Sequence, residues 1–177
     1  MHWITKLIGT MLLCCSLMIT AQTAIAADNA PNFTLRDING QQVSLEDFKG
    51  QVVLVNFWAT WCGPCQVEMP HLQKMYVDLK DQGFVVLSIS IDDAKDASKV
   101  KPLIKRNRYT FPVLLDKDSS VGNQYNPEGT APYNVLIGRD GNIIWQKAGY
   151  HSGEEIELRK IVVKALGPET TEKEEPK

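Results

Sequence analysis

The sequence has little cysteine, little histidine and almost no net charge. Four Cys and three His occur in 177 residues, and 19 Lys and Arg nearly balance 21 Asp and Glu, for a formal charge of −2. A chain so balanced, with no basic stripe, lacks the electrostatic footprint of a nucleic-acid binder, and no nucleic-acid partner is expected. Gly (12) and Pro (9) are sparse and follow no repeat, which excludes collagen-like and low-complexity architectures. Long hydrophobic runs are missing too, except for one at the N-terminus.

That run has the three parts of a secretory signal peptide. Met1 to Lys6 carries one basic side chain, Leu7 to Ile19 is uncharged, and Ala24-Ile25-Ala26 is an A-x-A cleavage site, so residues 1–26 read as a leader. An uncleaved membrane anchor is the alternative, because Leu7 to Ile25 is just long enough to cross a bilayer. Leu13 before Cys14, and Cys14 before Cys15, are not the small residue that a lipoprotein would carry there. Removing 26 of 177 residues leaves 151, enough for one domain. The formal charge moves from −2 to −3, since Lys6 leaves and no acid does. Only Cys62 and Cys65 remain, in a periplasmic or other extracytoplasmic compartment, tethered to a membrane if the leader is retained.

Residues 27–168 read as a single α/β domain. Phe33-Thr34-Leu35 and Gln42-Val43 flank Asn39-Gly40, a dipeptide suited to a tight hairpin turn. Val52 to Trp58 and Phe84 to Ile91 are apolar, β-branched runs with the character of buried strands. A helix is expected from Cys62 to Gly83 and another over Lys95 to Arg108, with Pro102 a weak point in the second. Thr110 to Leu115 reads as a short strand in which Pro112 suits an edge or a start. Tyr133 to Ile137 and Asn142 to Lys147 form a second hairpin around Asp140-Gly141. Ser152-Gly153-Glu154-Glu155 has the form of a capping box opening a last helix that ends at Gly167-Pro168. Residues 169–177 are charged, lack apolar side chains and are expected to be disordered.

Trp61-Cys62-Gly63-Pro64-Cys65 is the strongest chemical signal. Between a buried strand and a helix, Cys62 stands where unpaired N–H groups and the helix dipole favour an anion. A thiol of ordinary pKa about 8.5 falls to roughly 3.5–7.5 in such places. Pro64 suits the first turn, where its missing N–H is not needed. Two sulfurs three residues apart can close a small disulfide that a partner's thiols can open. A purely structural disulfide is a poor alternative, because so short a loop restrains the unfolded chain little. A zinc site would need two further ligands, and the mature chain offers only His71 and His151. No metal and no cofactor are expected.

Glu68 is the next candidate. At about 100° per residue it falls inside the apolar arc of Met69, Leu72, Met75, Tyr76 and Leu79, on the side of Cys65. It is either a first-turn acid pointing to water or a partly buried carboxylate that exchanges a proton with Cys65; the second reading is preferred, although Pro70 disturbs the helical count. Asn56 shares the strand face of Val52 and Leu54, where a hydrogen bond to a neighbouring loop is its ordinary role. Spacing does not decide whether the bond before Pro132 is cis or trans.

These residues resemble the exported thioredoxin-like proteins of the TlpA/ResA type. The resemblance rests on Asn56-Phe57-Trp58-Ala59-Thr60-Trp61-Cys62-Gly63-Pro64-Cys65 with Glu68 and Pro70. Phe33-Thr34-Leu35, Asn39-Gly40, Phe111-Pro112, Pro132 and Asp140-Gly141 extend it over about residues 31 to 166. It implies a thioredoxin-like fold, a central mixed sheet flanked by helices, with an extra N-terminal hairpin and a central insertion. It also implies that Cys62 is the attacking thiol, that Cys65 resolves the mixed disulfide, that Glu68 is the active-site acid and that Pro132 is cis. Trp61, Gly63, Pro64, Ala131, Pro132 and the loop at Gly149 would meet the substrate. Asn56 stands where ordinary thioredoxins often have Asp, and Tyr133-Asn134 stands where relatives often have two small hydroxyl residues.

The implied function is an extracytoplasmic thiol:disulfide oxidoreductase that reduces protein disulfides. Its partners would be proteins carrying thiols or disulfides, such as apocytochromes before haem attachment, and a membrane electron donor; a monomer is expected. A copper-handling protein resembling the Sco factors, with Cys62, Cys65 and His151 as ligands, is the alternative from another class. A peroxiredoxin would need Thr three residues before its Cys, where this chain has Ala59.

Overall fold

The computed structural model describes residues 29–168. The expected leader (1–26) and charged tail (169–177) lie outside the described residues. Seven strands make one mixed sheet in the order β2-β1-β5-β4-β3-β6-β7. Chain order gives β1 (Thr34–Asp37), β2 (Gln42–Ser44), β3 (Val52–Trp58), α1 (Gly63–Leu79) and β4 (Phe84–Ser90). Then come α2 (Val100–Asn107), β5 (Val113–Leu115), α3 (Ser120–Tyr125), β6 (Tyr133–Ile137), β7 (Ile143–Ala148) and α4 (Glu154–Leu166). Strands β3, β4 and β5 run parallel, whereas β6 and β7 and the β1–β2 hairpin are antiparallel to their neighbours. This is the expected thioredoxin-like sheet, with the hairpin added at one edge and the stretch between β4 and β6 supplying the central insertion.

Every residue of β3 and β4 is buried, as the unbroken apolar runs require of strands covered on both faces. One face of β3 (Val52, Leu54, Trp58) packs with Leu72 and Met75 of α1, Leu103 of α2 and Leu158 and Val162 of α4. The opposite face (Val53, Val55, Phe57) packs with Phe33 and with Val121 and Tyr125 of α3. Asn56 therefore lies under α1.

Several local expectations change. In the first hairpin only Gly40 has a positive φ (+89°), and Asp37 N–H donates to the Gln41 carbonyl. The turn is thus a three-residue loop, ordered by the Asp37 carboxylate, which accepts from Asn39 N–H and Gln41 N–H at 2.8 Å each. Pro112 precedes β5, which is an interior strand, and its carbonyl accepts from Ser88 N–H at 3.0 Å. Pro102 falls in the first turn of α2, where no intrahelical N–H bond is lost. Pro70 sits inside α1 without ending it. The expected Ser152 cap is absent: Gly153 is the N-cap of α4, at φ +101°, a conformation that glycine adopts at no steric cost. The free N–H groups of His151 and Gly153 are satisfied by the Glu154 and Glu155 carboxylates instead. Helix α3 is an element the sequence reading lacks. It is held by the buried Asp116, whose carboxylate accepts from Gly122 N–H at 2.6 Å and Val121 N–H at 3.3 Å.

Candidate redox site at the start of helix α1

Strand β3 ends at Trp58, and Ala59-Thr60-Trp61 turns the chain into α1 with Cys62 as its N-cap. The turn is tied down by a residue the sequence reading missed. Asp92, 1 % exposed, accepts from Thr60 N–H at 2.9 Å, from the Thr60 hydroxyl at 2.6 Å and from the Ser90 hydroxyl at 2.8 Å. Gln66 Nε2 reaches back to the Thr60 carbonyl at 2.9 Å. A buried carboxylate so fully bonded is a rigid anchor. The signal available in sequence was only an Asp just past a buried strand.

Cys62 and Cys65 form a disulfide, with their Cα atoms 5.3 Å apart. Cys62 Sγ accepts from Cys65 N–H at 3.2 Å, which is the N-cap position the sequence predicts. Both cysteines are buried, Cys65 completely and Cys62 at 4 % exposure, so the difference in access is in the expected direction and small. Around them Trp61, Gly63 and Pro64 are exposed, and Trp61 strongly so, at 65 %.

Glu68 is 3 % exposed, so the inward-facing reading is the right one. Asn56 does not bond a loop, as its ordinary role would have it. Its Nδ2 donates to Glu68 Oε2 at 3.2 Å and to Asn134 Oδ1 at 2.9 Å, while Asn134 Nδ2 donates to Glu68 Oε1 at 2.7 Å. Burial pushes the Glu68 carboxyl up from its ordinary value to about 7, against the two amide donors that favour its ionised form. Glu154 pushes in the same direction as burial and Lys147 opposes it.

The far side of Glu68 opens on a cavity of about 100 Å³ lined by Asn134, Lys147, Gly149, Tyr150, Glu154 and Glu155, among others. Lys147 and Glu154 form an ion pair at its wall. Burial, and then the hydrogen bond that its hydroxyl donates to Glu155 Oε2 at 2.7 Å, hold the Tyr150 phenol well above its usual range, and His71 lies 3.8 Å from the same carboxylate. The Ala131–Pro132 bond is cis, Pro132 is buried, Ala131 is half-buried, and the Pro132 carbonyl accepts from Gly149 N–H at 2.7 Å. Gly149 has φ +75°.

His151, the third ligand of the copper alternative, is exposed and sits 4.0 Å from Glu154. Among the described residues no group of three or more His, Cys, Asp or Glu side chains comes together as a metal site. No helix among them is long and apolar enough to cross a membrane.

Residues 26–146 match the model of the AhpC/TSA family. A thiol-disulfide oxidoreductase ResA of Bacillus cereus is 32% identical over 166 residues, which cover 88% of this chain and 94% of that protein. ResA of Bacillus subtilis is 34% identical over 142 residues, covering 76% of this chain and 78% of that protein. Among solved structures, a putative thiol:disulfide interchange protein DsbE from Chlorobium tepidum superposes with a TM-score of 0.74 at 30% identity. It covers 80% of this chain and 97% of that one.

Proposed function

The chain belongs to the AhpC/TSA family, with a thioredoxin-like fold and thiol:disulfide oxidoreductase activity, and from that premise we propose that it reduces protein disulfides outside the cytoplasm. The observation that carries this reading is the Cys62–Cys65 disulfide at the N-terminus of α1, with a buried carboxylate one turn along the same helix. The leader motif supports export, and the same leader, if retained, would supply an anchor.

In the reductive half-reaction the Cys62 thiolate attacks one sulfur of a substrate disulfide. A mixed disulfide forms and the other substrate sulfur leaves as a thiolate. Glu68 takes the proton of Cys65, whose sulfur then attacks Cys62 Sγ. The second substrate sulfur is expelled, picks up a proton, and the Cys62–Cys65 disulfide closes. Two electrons have passed to the substrate, and a dithiol donor must return them; an oxidising compartment does not supply such electrons, and a membrane protein is the donor expected. Trp61, Gly63, Pro64, Ala131 and Gly149 form the surface on which the substrate chain lies, and the buried Pro132 holds the Gly149 loop in it through its carbonyl. Apocytochromes awaiting haem attachment are substrates of the right chemistry. The protein works as a monomer, as the domain of 27–168.

Replacing Cys65 by Ala leaves the mixed disulfide with no resolving thiol. Cys65→Ala is expected to accumulate disulfide-linked adducts on Cys62, and Cys62→Ala to form none and to lose turnover. Turnover that survives in Cys62→Ala would overturn the assignment.

A further inference from the structure

Antiparallel pairing of β3 with β6 sets Asn56 directly opposite Asn134, parallel pairing of β3 with β4 sets Asn56 beside Ser88, and β6 pairs Asn134 with Lys147 on β7. A polar row, Ser88–Asn56–Asn134–Lys147, therefore crosses four adjacent strands under α1. Its two inner amides are at most 2 % exposed, while Lys147 meets Glu154 at the start of α4. Buried polar groups are costly unless fully bonded, and here the two amides share one partner, the Glu68 carboxylate, gripped through both oxygens.

We propose that Asn134 is a positioning residue of the redox site: with Asn56 it clamps both oxygens of Glu68, and the proton that Glu68 carries exchanges with water through the cavity walled by Lys147 and Glu154. The inference rests on the reading that Glu68 serves Cys65. Asn134 acts through Glu68 rather than on the sulfurs. The charged and titratable groups that line the cavity with Glu68 are Lys147 from β7, Tyr150 from the following loop, and Glu154, Glu155 and Glu157 from α4, while Cys65 stands one turn before it on α1. His71 joins them through Glu155. Opposed signs at Lys147 and Glu154 make the mouth of the cavity a control on Glu68 that a merely structural role for the row would not predict.

The test is a carbon-13 carboxyl NMR titration of Glu68 in the oxidised full chain, where the disulfide removes cysteine titration. Asn134→Ala takes away a donor to the ionised form and is expected to raise the Glu68 midpoint by about one pH unit. If that variant does not fold, Asn134→Asp keeps the shape and sets a second carboxyl against Glu68, which raises the midpoint further. Lys147→Gln is expected to raise it and Glu154→Gln to lower it. An unchanged midpoint in a folded Asn134 variant, or shifts of the same sign at Lys147 and Glu154, would overturn the proposal. The pH profile of disulfide reduction by Glu68→Gln separates the two levels of the account. If it matches wild type, the proton step at Cys65 fails, whereas the clamp stands or falls on the Glu68 titration alone.

Discussion

Glu68, with its carboxyl pushed up to about 7, is divided between protonated and ionised forms near neutral pH, and this has a consequence that can be measured. Its folded pKa of about 7 exceeds the ordinary 4.5, so between those values the folded protein holds a proton that the unfolded chain has released. Stability contributed by this group is therefore present below pH 4.5 and is lost as pH rises through 7. In the oxidised protein the difference in unfolding free energy between wild type and Glu68→Gln should change by about 3 kcal/mol across that window, with wild type the less stable at the alkaline end. Urea denaturation at a series of pH values reads this directly, and a pH-independent difference would return Glu68 to an ordinary carboxylate. In the reduced protein Glu68→Gln should lower the apparent thiol pKa values, because an ionised neighbour disfavours thiolate; thiolate ultraviolet absorbance follows it. The two sulfurs also differ. Cys62 is the helix N-cap and the less buried, so iodoacetamide at mildly acidic pH should label it first, and preferential labelling of Cys65 would reverse their roles.

At the scale of elements, the turn before α1 is held by Asp92. Asp92→Ala leaves Thr60 N–H and two hydroxyls without their acceptor, and should cost about 2–3 kcal/mol in urea denaturation as well as slow disulfide exchange at Cys62. A loss below about 0.5 kcal/mol would mean the turn is held otherwise. By contrast Ser152→Ala should leave stability within about 0.5 kcal/mol, since Gly153 caps α4 and no Ser152 side-chain bond supports it. A loss of a full cap's worth, about 1 kcal/mol, would contradict the observed N-terminus. The contrast shows where sequence was legible. Strands β3 and β4 could be read because runs buried on both faces are apolar without interruption, and Glu68 because α1 is long enough for helical spacing to place it. The six residues of α3 include a glycine and have no period to detect. The Asn56–Asn134 pair is 78 positions apart and exists only through strand register, as does the Thr60–Asp92 anchor, which continues the parallel register of β3 and β4. Ser152-Gly153-Glu154-Glu155 spells a capping box, yet the glycine's left-handed turn moves the cap by one residue.

For the molecule as a whole, the proposed direction of electron flow rests on what surrounds the sulfurs. An oxidant of this fold draws its power from an unusually stable reduced form. Here Gly63-Pro64 brings no cation, the buried Glu68 stands one turn along α1, and Glu155 adds negative charge behind it, Glu154 being paired with Lys147. On the proposed reading these carboxylates work against a thiolate with no neighbouring cation to offset them in the Gly63-Pro64 turn, which would make the disulfide the comparatively stable form and the dithiol a reductant. The most direct test is equilibration of the purified chain against glutathione buffers, with the Cys62–Cys65 redox state read by thiol alkylation. The account predicts a potential nearer the roughly −270 mV of reducing members of the fold than the roughly −120 mV of a strong oxidase, so that the pair is oxidised in a buffer poised near about −180 mV. A pair that stays reduced in that buffer would contradict it.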